Sequence, residues 1–277
     1  MPRTFTTVES ALREAAKRLK EVAGRPRLEA EILMAHHLGA ERTWFHAHGD
    51  ETLKDSEGYF ALVQRRLACE PIEYITGRVS YYDTELEVGP GVLVARPETE
   101  LLVEAAARLV EEGNLQRVCE IGVGSGAVSI VLMRKFPQLS IVATDISEKA
   151  LGYARRNVER HGLEGRIRLV RTDLMEGLEE DFDLVVSNPP YIARDFPLPE
   201  PVRKEPGEAL FGGERGDEVL RRILESVIER GIPRLACEMG YDQRERIVGH
   251  CRDLGLPEPE FYKDLAGLDR GFVLTNE

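Results

Sequence analysis

The stretch "EIGVGSGAVSI", residues 120–130, decides the fold, because an apolar strand-like segment runs into three glycines and then into an apolar helix-like segment. Gly122, Gly124 and Gly126 give the spacing G-x-G-x-G, and glycine at a strand-to-helix turn lets a ligand approach the main chain. The exposed amides of such a turn suit an electronegative group. The spacing alone is a weak indication. Gly122, Gly124 and Ala127 also satisfy the dinucleotide-binding pattern, and a turn that only serves packing has the same glycines.

Outward from this turn, from residue 117 onward, apolar strands alternate with amphipathic helices. We predict strands at 117–123, 140–145, 166–173, 182–187, 234–240, 258–265 and 271–276. Near-continuous apolar strands separated by helices are typical of a parallel sheet that is covered on both faces. Ligands of such sheets bind outside the carboxyl ends of the strands, at the switch point of the strand order.

The first 75 residues show helical periodicity only. Apolar residues recur at helical spacing in "VESALREAAKRLKEVA", "LEAEILMAHHLG" and "YFALVQRRLACE". The next stretch, "YYDTELEVGPGVLVARPETE" (81–100), alternates and breaks at Gly89-Pro90-Gly91, which predicts a β-hairpin, and Pro97 then opens a helix. The predicted domains are a helical substrate-recognition domain at 1–78, a β-hairpin linker at 79–96 and the sheet domain at 97–277.

Composition excludes several classes of function. The formal net charge of −12 argues against a partner held mainly through phosphate contacts. The amino terminus "MPRTFTTVES" lacks the apolar stretch of an export signal, and no run approaches the roughly 18 apolar residues of a membrane span, so we expect a cytoplasmic protein without a membrane partner. The four cysteines lie far apart and the histidines at 36, 37, 46 and 48 lack ligand spacing, so we predict no metal site.

Polar residues follow three further strands at the point where each strand ends. Asp145 ends the second strand, Asp173 the third and Asn188 the fourth. A carboxylate at the second tip can accept both hydroxyls of a ribose. In "SNPPYIARDF" (187–196) the two prolines cannot continue a ladder, so Asn188-Pro189-Pro190-Tyr191 is predicted to be a rigid loop. A bound nucleoside and this tetrapeptide would share one crevice.

The combination of glycine turn, acidic second tip and Asn-Pro-Pro-Tyr resembles a class I S-adenosylmethionine-dependent methyltransferase that modifies a planar nitrogen. Four longer segments, at 70–104, 208–223, 237–243 and 264–273, resemble the HemK/PrmC family, the glutamine-N5 methyltransferases of peptide chain release factors. The similarity covers the sheet domain and the hairpin, and is weaker in the helical amino terminus. It implies an α/β fold, a Rossmann-like seven-stranded sheet with a small all-helical amino-terminal domain joined by a β-hairpin.

The resemblance also implies the reaction and the site. The reaction is methyl transfer from S-adenosylmethionine to the side-chain amide of the glutamine in the Gly-Gly-Gln motif of release factors, which tunes translation termination. The residues implied for the cofactor are Gly122, Val123, Gly124, Ser125, Gly126, Asp145, Asp173, Leu174, Asn188, Glu98 and Thr99. The residues implied for catalysis are Asn188, Pro189, Pro190 and Tyr191. Glu120, Val123 and Leu174 depart from the usual residues of the family, so we expect an altered cofactor affinity.

The chemistry of the acceptor explains the rigid tetrapeptide. An amide nitrogen is a poor nucleophile because its lone pair is delocalised into the carbonyl, so positioning must do most of the work. We hypothesise that the Asn188 side-chain oxygen and the Pro189 carbonyl accept the two N–H bonds of the substrate amide, and that Tyr191 packs against its plane. Both acceptors would also stabilise the positive charge that develops on nitrogen during transfer.

Three alternatives share parts of this pattern. Adenine-N6 DNA methyltransferases use the same tetrapeptide but need a larger basic DNA-reading region and a flipped base, and this chain is acidic. A ribosomal-protein glutamine methyltransferase would share the whole chemistry. An inactive nucleotide-binding module would bind the cofactor without transferring its methyl group.

Overall fold

The computed structural model describes residues 7–276, in which the chain forms two compact units. One unit ends at Arg78 and also includes Leu198–Lys204, and the other comprises Val79–Pro197 and the chain from Glu205 onward. Residues 1–6 lie outside the described residues, as does the side chain of His46. The prediction that the amino terminus lacks an export signal rests partly on these six residues. Within residues 7–276, every helix is too short or too polar to cross a bilayer.

The first unit is helical, as predicted. Its helices are α1 (Val8–Leu19), α2 (Pro26–Leu38), α3 (Phe45–His48), α4 (Ser56–Leu67) and α5 (Ile72–Thr76). Helix α1 begins with a reciprocal capping box between Thr7 and Ser10, and α2 ends at Gly39 with φ of +62°. The apolar faces of these helices meet in one core, in which the buried Tyr59 hydroxyl donates to the Ala30 carbonyl at 3.0 Å. The helical periodicity therefore has its expected cause, which is burial of one face.

The predicted hairpin is present, but its turn lies elsewhere. Strands β1 (Arg78–Tyr81) and β2 (Thr84–Glu87) pair through a turn at Tyr82 and Asp83, whereas Gly89-Pro90-Gly91 follows β2 as a separate turn. The prediction of the turn at Gly89–Gly91 was therefore wrong. Glycine and proline favour turns, while the actual turn requires a positive φ of 51° at Tyr82, which a tyrosine rarely adopts.

The second unit is built on a seven-stranded sheet. Its strands are β3 (Arg117–Ile121), β4 (Ser140–Asp145), β5 (Ile167–Arg171), β6 (Leu184–Ser187), β9 (Arg234–Glu238), β10 (Glu260–Lys263) and β11 (Asp269–Thr275), and the short β7 (Ile192–Ala193) and β8 (Phe211–Gly213) pair separately. The order is β10-β11-β9-β6-β3-β4-β5. All seven predicted strands are present. The pairs β10–β11 and β11–β9 are antiparallel, because the short loop between β10 and β11 cannot make a parallel crossover.

Helices cover both faces of this sheet. They are α6 (Thr99–Gly113), α7 (Ala127–Lys135), α8 (Glu148–Arg160), α9 (Glu218–Glu229) and α10 (Arg244–Asp253). Adjacent residues of β3 point to opposite faces, so Val118 packs with α6, α7 and α8 while Cys119 packs with α9 and α10. Burial on both faces explains why the strands read as continuous apolar runs.

The strand order places a crevice beside β3. From β3 the chain proceeds to β4 and β5 on one side, and then returns to β6 on the other side. The carboxyl ends of β3 and β6 therefore form the switch point at which open α/β sheets bind their ligands.

Candidate active site

A cavity of about 390 Å³ lies at the carboxyl ends of the central strands. Its size falls within the range of pockets that hold a small molecule or cofactor. The walls come from residues 91–95, the glycine turn after β3, the tips of β4 and β6, the segment after β5, and residues 206–211. The predicted strand tips thus meet in one cavity.

The glycine turn faces this cavity. Gly122, Gly124 and Gly126 have φ of +77°, +55° and +88°, so each adopts a backbone that other residues rarely tolerate. An added Cβ at Gly122 or Gly124 would meet no atom closer than 3.8 Å, so the space above these two residues is open. Gly126 instead caps α7 and packs near Ala154. The first two glycines therefore line the cavity, and the third shapes the turn.

A buried asparagine on α8 holds the glycine turn in place. The Asn157 amide nitrogen donates to the carbonyls of Ser125 and Glu87, each at 2.9 Å, and its oxygen accepts from the Glu87 amide at 2.7 Å. Asn157 is fully buried, so these bonds are not exchanged with water. Sequence reasoning did not single it out, because a mid-helix asparagine carries no local signal.

Asp145 extends from the tip of β4 toward the turn. One carboxylate oxygen accepts from the Gly124 amide at 3.0 Å and the other from the Ser147 amide at 2.9 Å. Burial raises the pKa of the Asp145 carboxyl, against the lowering effect of these backbone donors. Each oxygen keeps a second lone pair, so the carboxylate can still accept the hydroxyls of a ribose.

The segment after β5 forms another wall. Asp173 pairs with Arg222 of α9 at 2.7 Å, and both residues line the cavity. Leu174 adopts a left-handed backbone with φ of +48°, and its carbonyl accepts from the Thr144 hydroxyl at 2.8 Å. A non-glycine residue with positive φ is strained, and such strain often marks a functional site. Leu174 therefore presents its side chain to the cavity from a backbone fixed by Thr144.

The tetrapeptide after β6 is held from both sides. The Asn188 side-chain nitrogen donates to the Thr99 hydroxyl at 3.1 Å. The Tyr191 hydroxyl donates to Glu238 Oε1 at 3.1 Å, and the Tyr191 carbonyl accepts from the Gln243 side chain at 2.9 Å. These bonds add to the restriction that two prolines impose on the backbone of the loop.

Two glycines allow a second backbone segment to lie directly on the tetrapeptide. Strand β7, which follows it, pairs with β8, and the Ile192 amide donates to the Leu210 carbonyl at 2.9 Å. An added Cβ at Gly212 would lie 2.4 Å from the Pro190 carbonyl oxygen, and one at Gly216 would lie 2.6 Å from the Tyr191 carbonyl oxygen. Only glycine fits at these positions, so the 212–216 loop supports the tetrapeptide.

Most of the predicted site residues lie together. Those that line the cavity are Thr99, Gly122, Val123, Gly124, Ser125, Asp145, Asp173, Leu174, Asn188 and Pro190. Those outside its lining are Glu98, Gly126, Pro189 and Tyr191. Glu98 is exposed, and its charge acts on the Tyr191 and Glu238 groups rather than on the glycine turn. The assignment of individual roles stays a prediction.

Buried carboxylates are the functional candidates that sequence reasoning missed. Glu238 at the tip of β9 and Glu205 before β8 are both buried, and Glu205 accepts from the Val94 amide at 3.0 Å and pairs with Arg96. Glu120 in β3, noted from the sequence only as a departure from the family pattern, accepts from the Ser129 amide at 3.0 Å and from the Ser129 hydroxyl. Within residues 7–276, His, Cys, Asp and Glu side chains form no cluster able to hold a metal ion.

The buried Glu120 is expected to make stability depend on pH. Burial raises its pKa from 4.5 to about 8, although the Ser129 bonds lower it. The folded state therefore binds this proton more tightly than the unfolded state, and stability should fall as pH rises from about 4.5 to about 8. Glu120→Gln should remove this pH-dependent loss of stability, which is on the order of 5 kcal/mol for a pKa raised from 4.5 to about 8, at about 1.4 kcal/mol per pKa unit.

Denaturant unfolding between pH 5 and pH 9, without cofactor, measures this effect. Glu111→Gln, an exposed glutamate on α6, is the matched control and should keep the wild-type slope. An equal slope in Glu120→Gln and wild type would contradict the assignment.

Comparison with known proteins identifies the family. A PrmC N-terminal domain model matches residues 10–77, and a Methyltransferase small domain model matches residues 97–196. The release factor glutamine methyltransferase of Bordetella pertussis is 38% identical over 255 residues, which cover 89% of this chain and 94% of that protein. The chain belongs to the release factor glutamine methyltransferase family. The corresponding Moorella thermoacetica enzyme is 35% identical over 280 residues, or 96% of this chain and 98% of its own.

Solved structures share the fold. The catalytic domain of hMettl16 in complex with MAT2A 3'UTR hairpin 1 has a TM-score of 0.58 and 18% identity, over 83% of this chain and 84% of that chain. A ribosomal protein L11 methylase from Lactobacillus delbrueckii has a TM-score of 0.51 and 20% identity, over 69% and 85%. The predicted family, class I methyltransferase fold and enzyme class are confirmed, and S-adenosylmethionine is the cofactor predicted for such an enzyme.

The cavity fits this cofactor. The open space above Gly122 and Gly124 admits a group against the main chain, and Asp145 retains acceptor capacity for ribose hydroxyls. Thr99, Asp173 and Leu174 complete walls that a nucleoside could contact. The residues present are therefore those that a nucleoside-containing cofactor requires.

Proposed function

We propose that this chain transfers a methyl group from S-adenosylmethionine to the side-chain amide nitrogen of the glutamine in the Gly-Gly-Gln motif of peptide chain release factors. The observation that carries the proposal is the orientation of Asn188. Its nitrogen donates to Thr99, which leaves the side-chain oxygen to accept from a substrate at the cavity. The relatives are release factor glutamine methyltransferases, which supports a release factor as the substrate.

The bound cofactor supplies an electrophilic methyl group on a positively charged sulfur. The cofactor would lie directly against the main chain of the glycine turn, because the space above Gly122 and Gly124 is open, and the Asp145 carboxylate would accept its hydroxyls. The hydrogen bonds of Asp145 to Gly124 and Ser147 fix that carboxylate before the ligand arrives. Preorganised acceptors lose less side-chain freedom on binding, so less of the interaction energy is spent on ordering.

The tetrapeptide positions the acceptor nitrogen. Two N–H bonds of the glutamine amide would be accepted by the Asn188 side-chain oxygen and the Pro189 carbonyl, so the nitrogen points toward the cofactor. Both acceptors carry partial negative charge, and their interaction strengthens as positive charge develops on nitrogen. Tyr191, whose hydroxyl is held by Glu238 and whose backbone carbonyl is held by Gln243, would bound the slot on one side. Fixing both reactants removes entropy from the barrier.

The domain boundaries are also part of the proposal. We assign substrate recognition to residues 1–78, a hairpin linker to 79–96 and methyl transfer to 97–277. A glutamine between flexible glycines can reach into a narrow slot, while the helical domain contacts the release factor at another surface. Binding through two surfaces raises the effective concentration of the glutamine at the slot.

Mass spectrometry tests this function directly. Unmodified release factor is incubated with the wild-type chain and S-adenosylmethionine, and its peptides are measured. The expected result is a single added methyl group on the Gly-Gly-Gln glutamine, which raises the mass of that peptide by about 14 units, or one CH₂. Parallel reactions contain adenine-rich DNA or ribosomal proteins. Methylation of DNA or of a ribosomal glutamine, with none on the release factor, would refute the assigned substrate.

A further inference from the structure

A buried carboxylate lies behind the tetrapeptide, at the tip of β9. Glu238 is only 3% exposed and does not line the cavity. Strand β9 is the parallel neighbour of β6, so Glu238 lies at the same edge of the sheet as Asn188. A buried carboxylate is costly unless hydrogen bonds compensate it, so its partners are informative.

The groups near Glu238 belong to or contact the two ends of the tetrapeptide, Asn188 and Tyr191. Oε1 accepts from the Tyr191 hydroxyl at 3.1 Å, and the nearby Thr99 hydroxyl lowers the pKa of the carboxyl. Oε2 is buried and has no hydrogen-bond partner in the described part of the chain, so it is an unpaired acceptor near Thr99. Thr99 is itself 3% exposed and accepts from the Asn188 side-chain nitrogen at 3.1 Å.

We propose that Glu238 Oε2 accepts the proton of the Thr99 hydroxyl. Glu238 would thereby act as a positioning residue that keeps the Asn188 amide turned with its nitrogen toward Thr99 and its oxygen toward the substrate. The inference deepens the proposed function and rests on it, because the orientation matters only if Asn188 accepts a hydrogen bond from the substrate. Glu238 itself contacts neither substrate nor cofactor in this arrangement.

The direction of the hydrogen bonds follows from counting protons. A threonine hydroxyl has one proton to donate and can accept another bond on its oxygen. When that proton goes to a carboxylate, which can only accept, the hydroxyl can only accept from Asn188. Asn188 must then present its NH₂ group to Thr99. An acceptor at the position of Glu238 therefore decides which end of the Asn188 amide faces the slot.

A neutral group at this position would no longer decide which end of the Asn188 amide faces the slot. A protonated Glu238, or a glutamine, can donate to the Thr99 oxygen, and the Thr99 proton is then free to point at Asn188. The amide could rotate by half a turn and place its NH₂ group in the slot. Two donors, the Asn188 nitrogen and the substrate N–H, would then face each other.

Several groups set the protonation of Glu238. Burial raises its pKa from 4.5 to about 7, and the exposed Glu98 acts in the same direction. The Thr99 hydroxyl, the hydrogen bond from Tyr191 and the charge of Arg270 act in the opposite direction. The other titratable groups whose charge is coupled to Glu238 are Tyr81, Tyr262 and Cys237. Because the ionised form is the productive one, kcat should rise as pH increases through about 7.

The test compares Glu238→Gln, Thr99→Val, Thr99→Ser and the double variant Glu238→Gln/Thr99→Val in the release-factor assay at saturating cofactor. Glu238→Gln and Thr99→Val should each lower kcat by roughly 10–100-fold, less than the loss of a direct transition-state contact, because both act only through Asn188. The double variant should fall no further than Thr99→Val, because both changes act through one link. Thr99→Ser keeps the hydroxyl and should restore turnover relative to Thr99→Val.

Two readouts separate this role from a general structural one. The rise of kcat through pH 7 should disappear in Glu238→Gln and in Thr99→Val. Cofactor affinity measured by calorimetry should stay at the wild-type value in Glu238→Gln, because Glu238 does not line the cavity. If Glu238→Gln does not fold, the proposal is tested by the pH dependence of kcat in Thr99→Val.

The outcomes distinguish the inference from the proposed function. No methylated glutamine from the wild-type chain would refute the proposed function. Wild-type turnover with full activity in Glu238→Gln, or losses that multiply in the double variant, would overturn the positioning role alone.

Discussion

Replacing Asn188 by alanine is expected to lower kcat for glutamine methylation by about 10²–10³-fold, the range observed when one preorganised transition-state contact is removed. The side chain is anchored by its nitrogen to Thr99 at 3.1 Å, so its oxygen is fixed at the cavity before the substrate arrives. Alanine removes the acceptor and leaves the prolines that shape the loop unchanged. Steady-state methylation of release factor at saturating cofactor measures the loss.

Gln116→Ala is the matched control for this variant. Gln116 carries the same amide group, is exposed, and precedes β3 at the opposite end of the sheet from the cavity. It should keep the wild-type kcat. A loss in Asn188→Ala that saturating substrate fully restores would show that Asn188 contributes only to binding, which contradicts a role in the transition state.

Replacing Gly212 by alanine is expected to lower kcat by about 10²-fold, because a displacement of about 1 Å at reacting groups can cost that much. The added Cβ would lie 2.4 Å from the carbonyl oxygens of Pro190 and Gly216, both of them backbone atoms that cannot rotate away. The tetrapeptide or the 212–216 loop must therefore move. Cofactor affinity should change much less, because Gly212 lies outside the lining of the cavity.

Gly249→Ala controls for the change of glycine to alanine. Gly249 lies within α10, and an added Cβ there would meet no atom within 4 Å. Alanine should raise stability by up to about 1 kcal/mol, since glycine is unfavourable inside a helix. Unfolding curves for both variants, recorded beside the activity assay, separate displacement of the loop from loss of fold. Equal activity in Gly212→Ala and wild type would contradict the supporting role of this loop.

The sequence predicted the parts of the site that depend on local pattern. Asp145, Asp173 and Asn188 each follow an apolar run, and a polar residue after a buried strand indicates where the strand leaves the sheet. Since the carboxyl ends of parallel strands share one edge of the sheet, these residues were expected to lie together, and the cavity contains all three.

The parts that escaped prediction depend on contacts between distant segments. Glu238 ends a strand as Asp145 does, but a fully buried carboxylate is rare, so nothing local marks its burial or its partners. Gly212 and Gly216 are adjacent to Pro190 and Tyr191 only in the fold, and their need for glycine comes from that approach. Asn157 looks like any helical residue until Ser125 and Glu87 are brought to it. The hairpin turn was mispredicted for a local reason, because it has a positive φ at Tyr82, which a tyrosine rarely adopts.

The position of β3 in the sheet affects how the site opens. Strand β3 lies between β6 and β4. Beyond β6 come β9, β11 and β10, and beyond β4 comes β5, so the amides of β3 are among the most deeply covered. In native-state hydrogen exchange, central strands open only with the whole domain, while peripheral strands open more readily. The glycine turn and the tetrapeptide are therefore attached to the slowest-exchanging strands. Fluctuations at the margins of the domain can admit ligands while the residues that contact them keep their geometry.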